Sequence, residues 1–256
     1  MTSILVTNDD GVHAPGIQAL AEAMQQFGSV QIAAPARNQS ASGHKKTLFS
    51  DITIEDVTIA NGMPALAIDG SPADCIALCA MGLRPFPPRL VVSGINRGEN
   101  MGQDVTYSGT VTAALEAAIH GVPALAISLS DHDADKVEDY AEAARVAVHV
   151  VQTMLDNNKG LPEFTALSLN VPKGKCKGIR ITRQGVRIYR DELEQDGNKV
   201  RIVGEPPTGI LDQEGTDLWA VHNGYASLTP IHLDMTAYRF IADLNAWDLH
   251  LDSLKK

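Results

Sequence analysis

The sequence predicts an α/β protein: a Rossmann-like, doubly wound, mostly parallel sheet followed by a β-rich extension and a C-terminal helix. Three observations carry this. Short apolar runs alternate with helical stretches through residues 4–172, the rhythm of repeated strand–helix–strand units. Several of those runs are continuously apolar, as strands covered on both faces are. After Pro172 helical periodicity stops, and short β-like pieces separated by polar and Gly/Pro-rich turns take over.

Taken in order, Ile4–Thr7 is a strand because an apolar run of strand length ends at Asn8-Asp9-Asp10-Gly11. Gly16–Phe27 has amphipathic helical spacing. Val30–Ala34 is a second strand, closed by Pro35, and Pro64–Ile68 another. Ser71-Pro72 places an N-cap before proline at the first helical position, and that helix runs to about Gly82. Leu90–Ser93, apolar between Pro87-Pro88 and Gly94, reads as a central parallel strand. Thr110–His120 is Ala-rich and helical, Ala124–Ser128 a strand, Lys136–Asp156 a long helix and Thr165–Val171 a strand. The extension holds β-like pieces at Gly178–Arg183, Gly185–Tyr189, Lys199–Val203 and Tyr225–Pro230, and Ala237–Trp247 is again helical. The expected division is a core at 1–172, an extension at 173–235 carrying contacts between copies, and a helical segment at 236–256, with Lys255-Lys256 fraying.

The 256 residues, 44% of them hydrophobic, can bury a sizeable core. A net charge of −10 weighs against a nucleic-acid polymer or an acidic membrane as the main partner. A small anionic substrate stays compatible, since a bound cation supplies local positive charge. The first residues lack a basic segment and a long apolar one, and no run is long enough to cross a bilayer. With Cys75, Cys79 and Cys176 giving no disulfide framework, a cytoplasmic setting is expected. Cys75 and Cys79, one helical turn apart, read as small buried hydrophobes.

Four polar clusters follow strands: Asp9-Asp10-Gly11, Ala36 to His44, Ser93 to Asn100, and Ser108-Gly109-Thr110. An isolated Asp-Asp after a strand is most simply a polar turn. In a parallel sheet, however, such loops gather on one edge, where ligands bind. Neighbouring carboxylates repel, so a buried pair shares a proton or holds a cation, and oxygen ligands suit Mg²⁺, Mn²⁺ or Ca²⁺. Asp9 and Asp10 are the candidate catalytic and metal-binding acids, with Ser40 and Asn96 adding neutral oxygens. Gly94, Gly98 and Gly109 permit close backbone approach or positive φ. Ser108, Gly109 and Thr110 sit at a helix N-terminus, which favours phosphate; Ser108 and Thr110 serve equally well as helix caps.

A cation beside a phosphate-sized anion hole is apparatus for phosphoryl transfer to water. The leaving oxygen then takes its proton from metal-bound water or from His44. His44 is either a solvent-facing loop histidine or a group that meets substrate. His13 reads as a surface residue and His149 as a structural one. There is no P-loop and no GxGxxG after a strand. Two rivals belong to other classes. A receiver-type signalling module needs a lysine after its fifth strand, but the Ala124–Ser128 strand is followed by Leu129-Ser130-Asp131. A nucleotide-sugar transferase or nucleoside-binding protein on the same fold would need an acceptor or release no phosphate.

The stretches ILVTNDDGVHAPGI, APARNQSASG, DGSPADC, VVSGINRGENMG, YSGTVTAALE, LSLNVP and GTDLWAVHNGYASLTPIHLDMT together resemble the SurE family of metal-dependent nucleotidases, in family order from residue 4 to about 236. The resemblance implies a single SurE-like domain and one divalent cation per subunit, Mg²⁺ or Mn²⁺ with Ca²⁺ able to substitute in crystals, on Asp9, Asp10, Ser40 and Asn96. It implies substrate phosphate at Asn96, Ser108, Gly109 and Thr110; Asn8, Gly43, His44 and Arg97 are candidates to stand behind these residues. It further implies hydrolysis of nucleoside 5′- and 3′-monophosphates, some activity on short polyphosphate, and a homodimer or homotetramer. Two departures are Ala36, where the family usually has Asp, and Arg97, where a smaller residue is expected after Asn96; Arg97 either contacts substrate phosphate or stays on the surface.

Overall fold

The computed structural model describes residues 3–157 and 160–247. The expected helical segment beyond Trp247, with Lys255-Lys256, lies outside them. The main sheet has nine strands: β1 (Ser3–Thr7), β2 (Ser29–Pro35), β3 (Ile54–Thr58), β4 (Pro64–Ile68), β5 (Leu90–Arg97), β6 (Ala124–Ser130), β7 (Thr165–Pro172), β8 (Ile179–Ile181) and β11 (Ala226–His232). Their order is β3-β4-β2-β1-β5-β6-β7-β11-β8. β1 pairs in parallel with both β2 and β5, Ile4 lying opposite Val30 and Leu90. The chain therefore steps outward to β2 on one side of β1 and returns to β5 on the other. That reversal opens a crevice beyond the carboxyl end of β1. Only β3 on β4 and β11 on β7 run antiparallel within this sheet.

Side-chain alternation along β1 feeds two cores. Ile4 and Val6 pack with Ile17 and Leu20 of α1 (Pro15–Met24) and Val146 and Val150 of α4 (Ala141–Asp156). Leu5 packs on the opposite face with Ile76 of α2 (Pro72–Leu78) and Val111 and Leu115 of α3 (Gly109–Ile119). Each such fully buried Leu or Ile contributes about 1.5–3 kcal/mol, which fixes the strand that carries Asp9. Ser71 caps α2 as expected: it accepts from Asp74 N–H at 3.1 Å, and Asp74 accepts from Ser71 N–H at 2.8 Å. Cys75 and Cys79 are free and fully buried.

Differences from the expected elements have physical causes. β5 and β6 continue past their first polar residue, because the ladder still pairs Asn96 with Ser128 and Arg97 with Leu129; Asn96 is thus on a strand, not in a loop. β3 gives no sequence signal because it is an exposed edge pairing only with β4. α2 ends at Leu78 and opens into a wider turn where Gly82 has φ +108°. The long helix starts with a 3-10 turn at Val137–Tyr140. α5 (Asp217–His222), capped by Thr216, is too short to show periodicity. α6 spans Tyr238–Leu244. Within 173–235, β8 and β11 join the main sheet, while β9 (Arg187–Asp196) and β10 (Lys199–Gly209) form a separate two-stranded ribbon. Among the described residues no helix is long and apolar enough to cross a membrane.

Candidate active site

β1 delivers Asn8, Asp9 and Asp10 to the crevice. The buried Asn8 ties the turn by donating from Nδ2 to Gly11 O at 2.9 Å. Asp9 is 3% exposed. Its Oδ1 accepts from the Thr110 hydroxyl at 2.5 Å and its Oδ2 from the Thr110 N–H at 3.1 Å. Its main-chain oxygen accepts from Gln39 N–H at 2.7 Å. Burial pushes the Asp9 carboxyl up to about 6; the Thr110 bonds pull it down and the charge of Asp10 pushes it up further. Asp10 Oδ2 accepts from Arg97 N–H at 3.1 Å, and Asn38 Nδ2 stands 3.5 Å from its Oδ1. Burial raises Asp10 too, against the Arg97 bond and charge. Two adjacent, partly dehydrated carboxylates thus lie where both are reluctant to ionise.

The loops expected to converge do meet here. The 36–47 loop reaches Asp9 through Gln39, beside the exposed Ser40, whose N–H donates to Asn38 Oδ1 at 2.8 Å. Asn96 is buried, and its Nδ2 donates to Gly98 O at 2.8 Å, which leaves its carbonyl oxygen outside that bond. Gly109 lets α3 approach closely. A Cβ built there would stand 2.8 Å from Asp9 Cβ, 2.9 Å from Ser42 Oγ and 3.0 Å from Asp9 Oδ2. Gly94 and Gly98 have φ of +137° and +94°.

Both roles left open for Ser108 and Thr110 can now be specified. Ser108 is the N-cap of α3 and accepts from Val111 N–H at 3.1 Å. Thr110 spends its hydroxyl and N–H on Asp9. Gly43 joins the loop to α3: its N–H donates to Tyr107 O at 2.9 Å and its carbonyl accepts from the Thr112 hydroxyl at 3.0 Å. The Arg97 side chain is exposed and lines a cavity of about 150 Å³ with Asp10, Asn38, Asp135 and Tyr140. Ala36 is exposed and bonds by its N–H to Ile68 O at 2.8 Å. His13 and His149 are exposed on the surface.

His44 turns its Nε2 to Glu116 Oε2 at 2.9 Å. Sequence reasoning missed Glu116, which is 2% exposed and also accepts from Lys46 Nζ at 2.9 Å. Burial raises the Glu116 carboxyl, but the bonds and charges of His44 and Lys46 prevail and hold it at about 2. The available signal was its setting: Glu116 stands in Thr112 to Ile119, a helical stretch otherwise of small and apolar residues, where a charge has no polar face to occupy. Asn38 and Ser42 were missed as well.

The residues present fit a hard divalent cation. Asp9 and Asp10 bring two carboxylates, and Ser40 and Asn96 bring neutral oxygens. The buried Asn8 Oδ1 and Ser42 Oγ have no hydrogen-bond partner among the described residues. No group of three or more His, Cys, Asp and Glu among the described residues is arranged to hold a metal, so a cation here would draw on the neutral oxygens as well.

Comparisons with known proteins point to one family. The family model described as survival protein SurE matches residues 4–191. The protein named 5′-nucleotidase SurE from Syntrophotalea carbinolica is 44% identical over 250 residues, covering 96% of this chain and 97% of the relative. A relative of the same name from Chloroflexus aggregans is 43% identical over 252 residues, covering 96% and 98%. Among solved structures, the SurE protein from Aquifex aeolicus superposes with a TM-score of 0.79 at 38% identity, covering 95% of this chain and 98% of that one.

Proposed function

Because the chain belongs to the SurE family, as its family match and relatives show, we propose that it is a divalent-metal-dependent 5′-nucleotidase, a phosphoric monoester hydrolase that releases phosphate from nucleoside monophosphates. One observation carries the reading: the buried Asp9 and half-buried Asp10 stand at the switch point of the sheet, held by Thr110 and by the Arg97 amide.

Asp9, Asp10, Ser40 and Asn96 would hold Mg²⁺ or Mn²⁺. The cation, when bound, supplies polarisation of the phosphate and offsets the charge that develops in transfer to water. Thr110 keeps Asp9 oriented and favours its ionised form by donating two hydrogen bonds to it. Gly109 begins α3, so the positive end of that helix faces the region where phosphate would sit. Asn96 and the Ser108–Thr110 turn would line that position, with Arg97 at its rim. His44 is committed to Glu116 through Nε2, which supports a role in holding the loop. Hydrolysis of 3′-monophosphates and short polyphosphate follows from the same reading, because every recognition element proposed addresses phosphate rather than base. A homodimer or homotetramer in the cytoplasm completes it. The exposed Leu193, Val200 and Ile202 of the β9–β10 ribbon support an assembly.

The test is a substrate panel. Metal-stripped protein receives 5′- and 3′-monophosphates with Mg²⁺, Mn²⁺ or no metal. Phosphate release from AMP that depends on the added cation is expected. Absence of release from every monophosphate with either metal would overturn the proposal. Stable phosphorylation by acetyl phosphate would favour a receiver module, and a requirement for an acceptor sugar would favour a transferase.

A further inference from the structure

The loop at residues 36–47 carries Ser40 and Ser42 to the site yet lies outside every helix and strand. At its two ends Ala36 N–H donates to Ile68 O, and Thr47 donates by its N–H and its hydroxyl to Asp74, each at 2.8 Å. Between them Gln39 N–H reaches Asp9 O, Gly43 bonds Tyr107 O and the Thr112 hydroxyl, and Lys45 O accepts from Ser71 Oγ at 2.5 Å. Ion pairs hold it as well: Arg37 meets Asp69 at 2.7 Å with both side chains exposed, and the buried anchor is Glu116. Its two oxygens take one loop side chain each, His44 on Oε2 and Lys46 on Oε1, both at 2.9 Å. The carboxylate side chain is 3% exposed, against 29% for His44 and 43% for Lys46. The low-dielectric partner is therefore the fixed one, on a packed helix, and the loop is the part being held. The same helix, six residues earlier, presents Thr110 to Asp9. Both ends of this arrangement are thus referred to one rigid element.

We propose that Glu116 is a positioning residue: by gripping His44 and Lys46 it holds the 36–47 loop on α3, so that Ser40 and Ser42 stay beside the Asp9–Asp10 pair. This rests on the metal-site reading above and adds to it a reason why that site is preformed. His120, the C-cap of that helix, is 3.3 Å from Glu116 Oε1 and meets Phe86 edge to face, and among the described residues no hydrogen bond or ion pair joins it to the loop. It provides the control.

The experiment uses the full chain and two measurements made without nucleotide: amide hydrogen exchange of residues 39–46, and titration of the metal-stripped protein with Mn²⁺. Glu116→Gln and Lys46→Met are each expected to speed exchange in that segment and to weaken Mn²⁺ binding at least tenfold, the usual cost of removing a residue that orients a ligand. The double variant is expected to be no weaker than Glu116→Gln, because both act through one contact. Phosphate release from AMP by either single variant should recover as Mn²⁺ is raised to saturation. His120→Asn should stay within twofold of the parent in both measurements. Lys46 is partly exposed, so Lys46→Met tests the clamp even where Glu116→Gln fails to fold. Unchanged exchange in Lys46→Met, faster exchange with unchanged Mn²⁺ affinity, or additive losses in the double variant would each overturn the proposal. A parent protein that binds Mn²⁺ but hydrolyses no monophosphate refutes the nucleotidase reading alone. One that binds no Mn²⁺ refutes both.

Discussion

Gly109→Ala separates stability from function. The backbone of Gly109 is an ordinary helix start without positive φ, so alanine adopts it and gains up to about 1 kcal/mol in helix propensity. Against this, the new methyl meets Asp9 Cβ at 2.8 Å, Ser42 Oγ at 2.9 Å and Asp9 Oδ2 at 3.0 Å. Overpacking of this kind costs about 1–3 kcal/mol. The net loss is about 0–3 kcal/mol, a fall in melting temperature of at most about 12 °C for a chain of this size. The chemistry suffers more, because the atoms that must move belong to Asp9 itself. A displacement approaching 1 Å costs about 100-fold in rate. Thermal melting and phosphate release from AMP with saturating Mn²⁺ measure the two effects. A variant that melts like the parent and keeps kcat/KM within twofold would refute the claim that α3 presses directly on Asp9.

Three further outcomes are expected. Asp9→Asn keeps the fold and abolishes phosphate release from AMP. Because the native carboxyl titrates near 6 instead of 3.8, the folded state holds its proton more tightly than the unfolded one. Asp9 therefore costs the metal-free protein stability as pH rises from about 4 to about 6, and the variant should melt higher than the parent at pH 7 without metal; equal turnover by the two refutes the assignment. Glu116 has the opposite sign: held at about 2 against an ordinary 4.5, it adds stability above pH 4.5 that is lost as pH falls towards 2. Denaturant midpoints at pH 3 and pH 6 should differ less in Glu116→Gln than in the parent. Arg187, 8% exposed, bridges Glu99 at 2.8 Å and Asp104 at 2.6 Å; Arg187→Met takes the guanidinium from both acids, leaving Glu99 to Ser130 and His132 and Asp104 to Tyr189, and should cost about 3 kcal/mol, read by urea unfolding.

The strand–helix rhythm and the two aspartates were legible because burial on both faces writes continuous apolar runs, and because a polar turn after such a run stands out. The convergence of Asp9, Gln39–Ser40, Asn96 and Gly109 was also legible, since a parallel sheet gathers its loops on one edge. What stayed hidden depended on partners far apart in sequence. The duty of Thr110 toward Asp9 spans 101 residues. Glu116 stands out as a lone charge in an apolar helical stretch, but its partner Lys46 lies 70 residues earlier. The end of β5 at Arg97 is set by pairing with Leu129, not by any local change in polarity. β3 and α5 were too exposed or too short to leave a periodic trace.

The central claim is that oxygen atoms from separate loops clasp one divalent ion beside β1. Anomalous diffraction from a crystal of the metal-stripped protein soaked in Mn²⁺ tests it most directly. A single strong peak per chain is expected, in contact with the carboxylates of Asp9 and Asp10 and within ligand distance of Ser40 Oγ and Asn96 Oδ1. Density free of manganese at that spot, or a peak held by other residues alone, would contradict it.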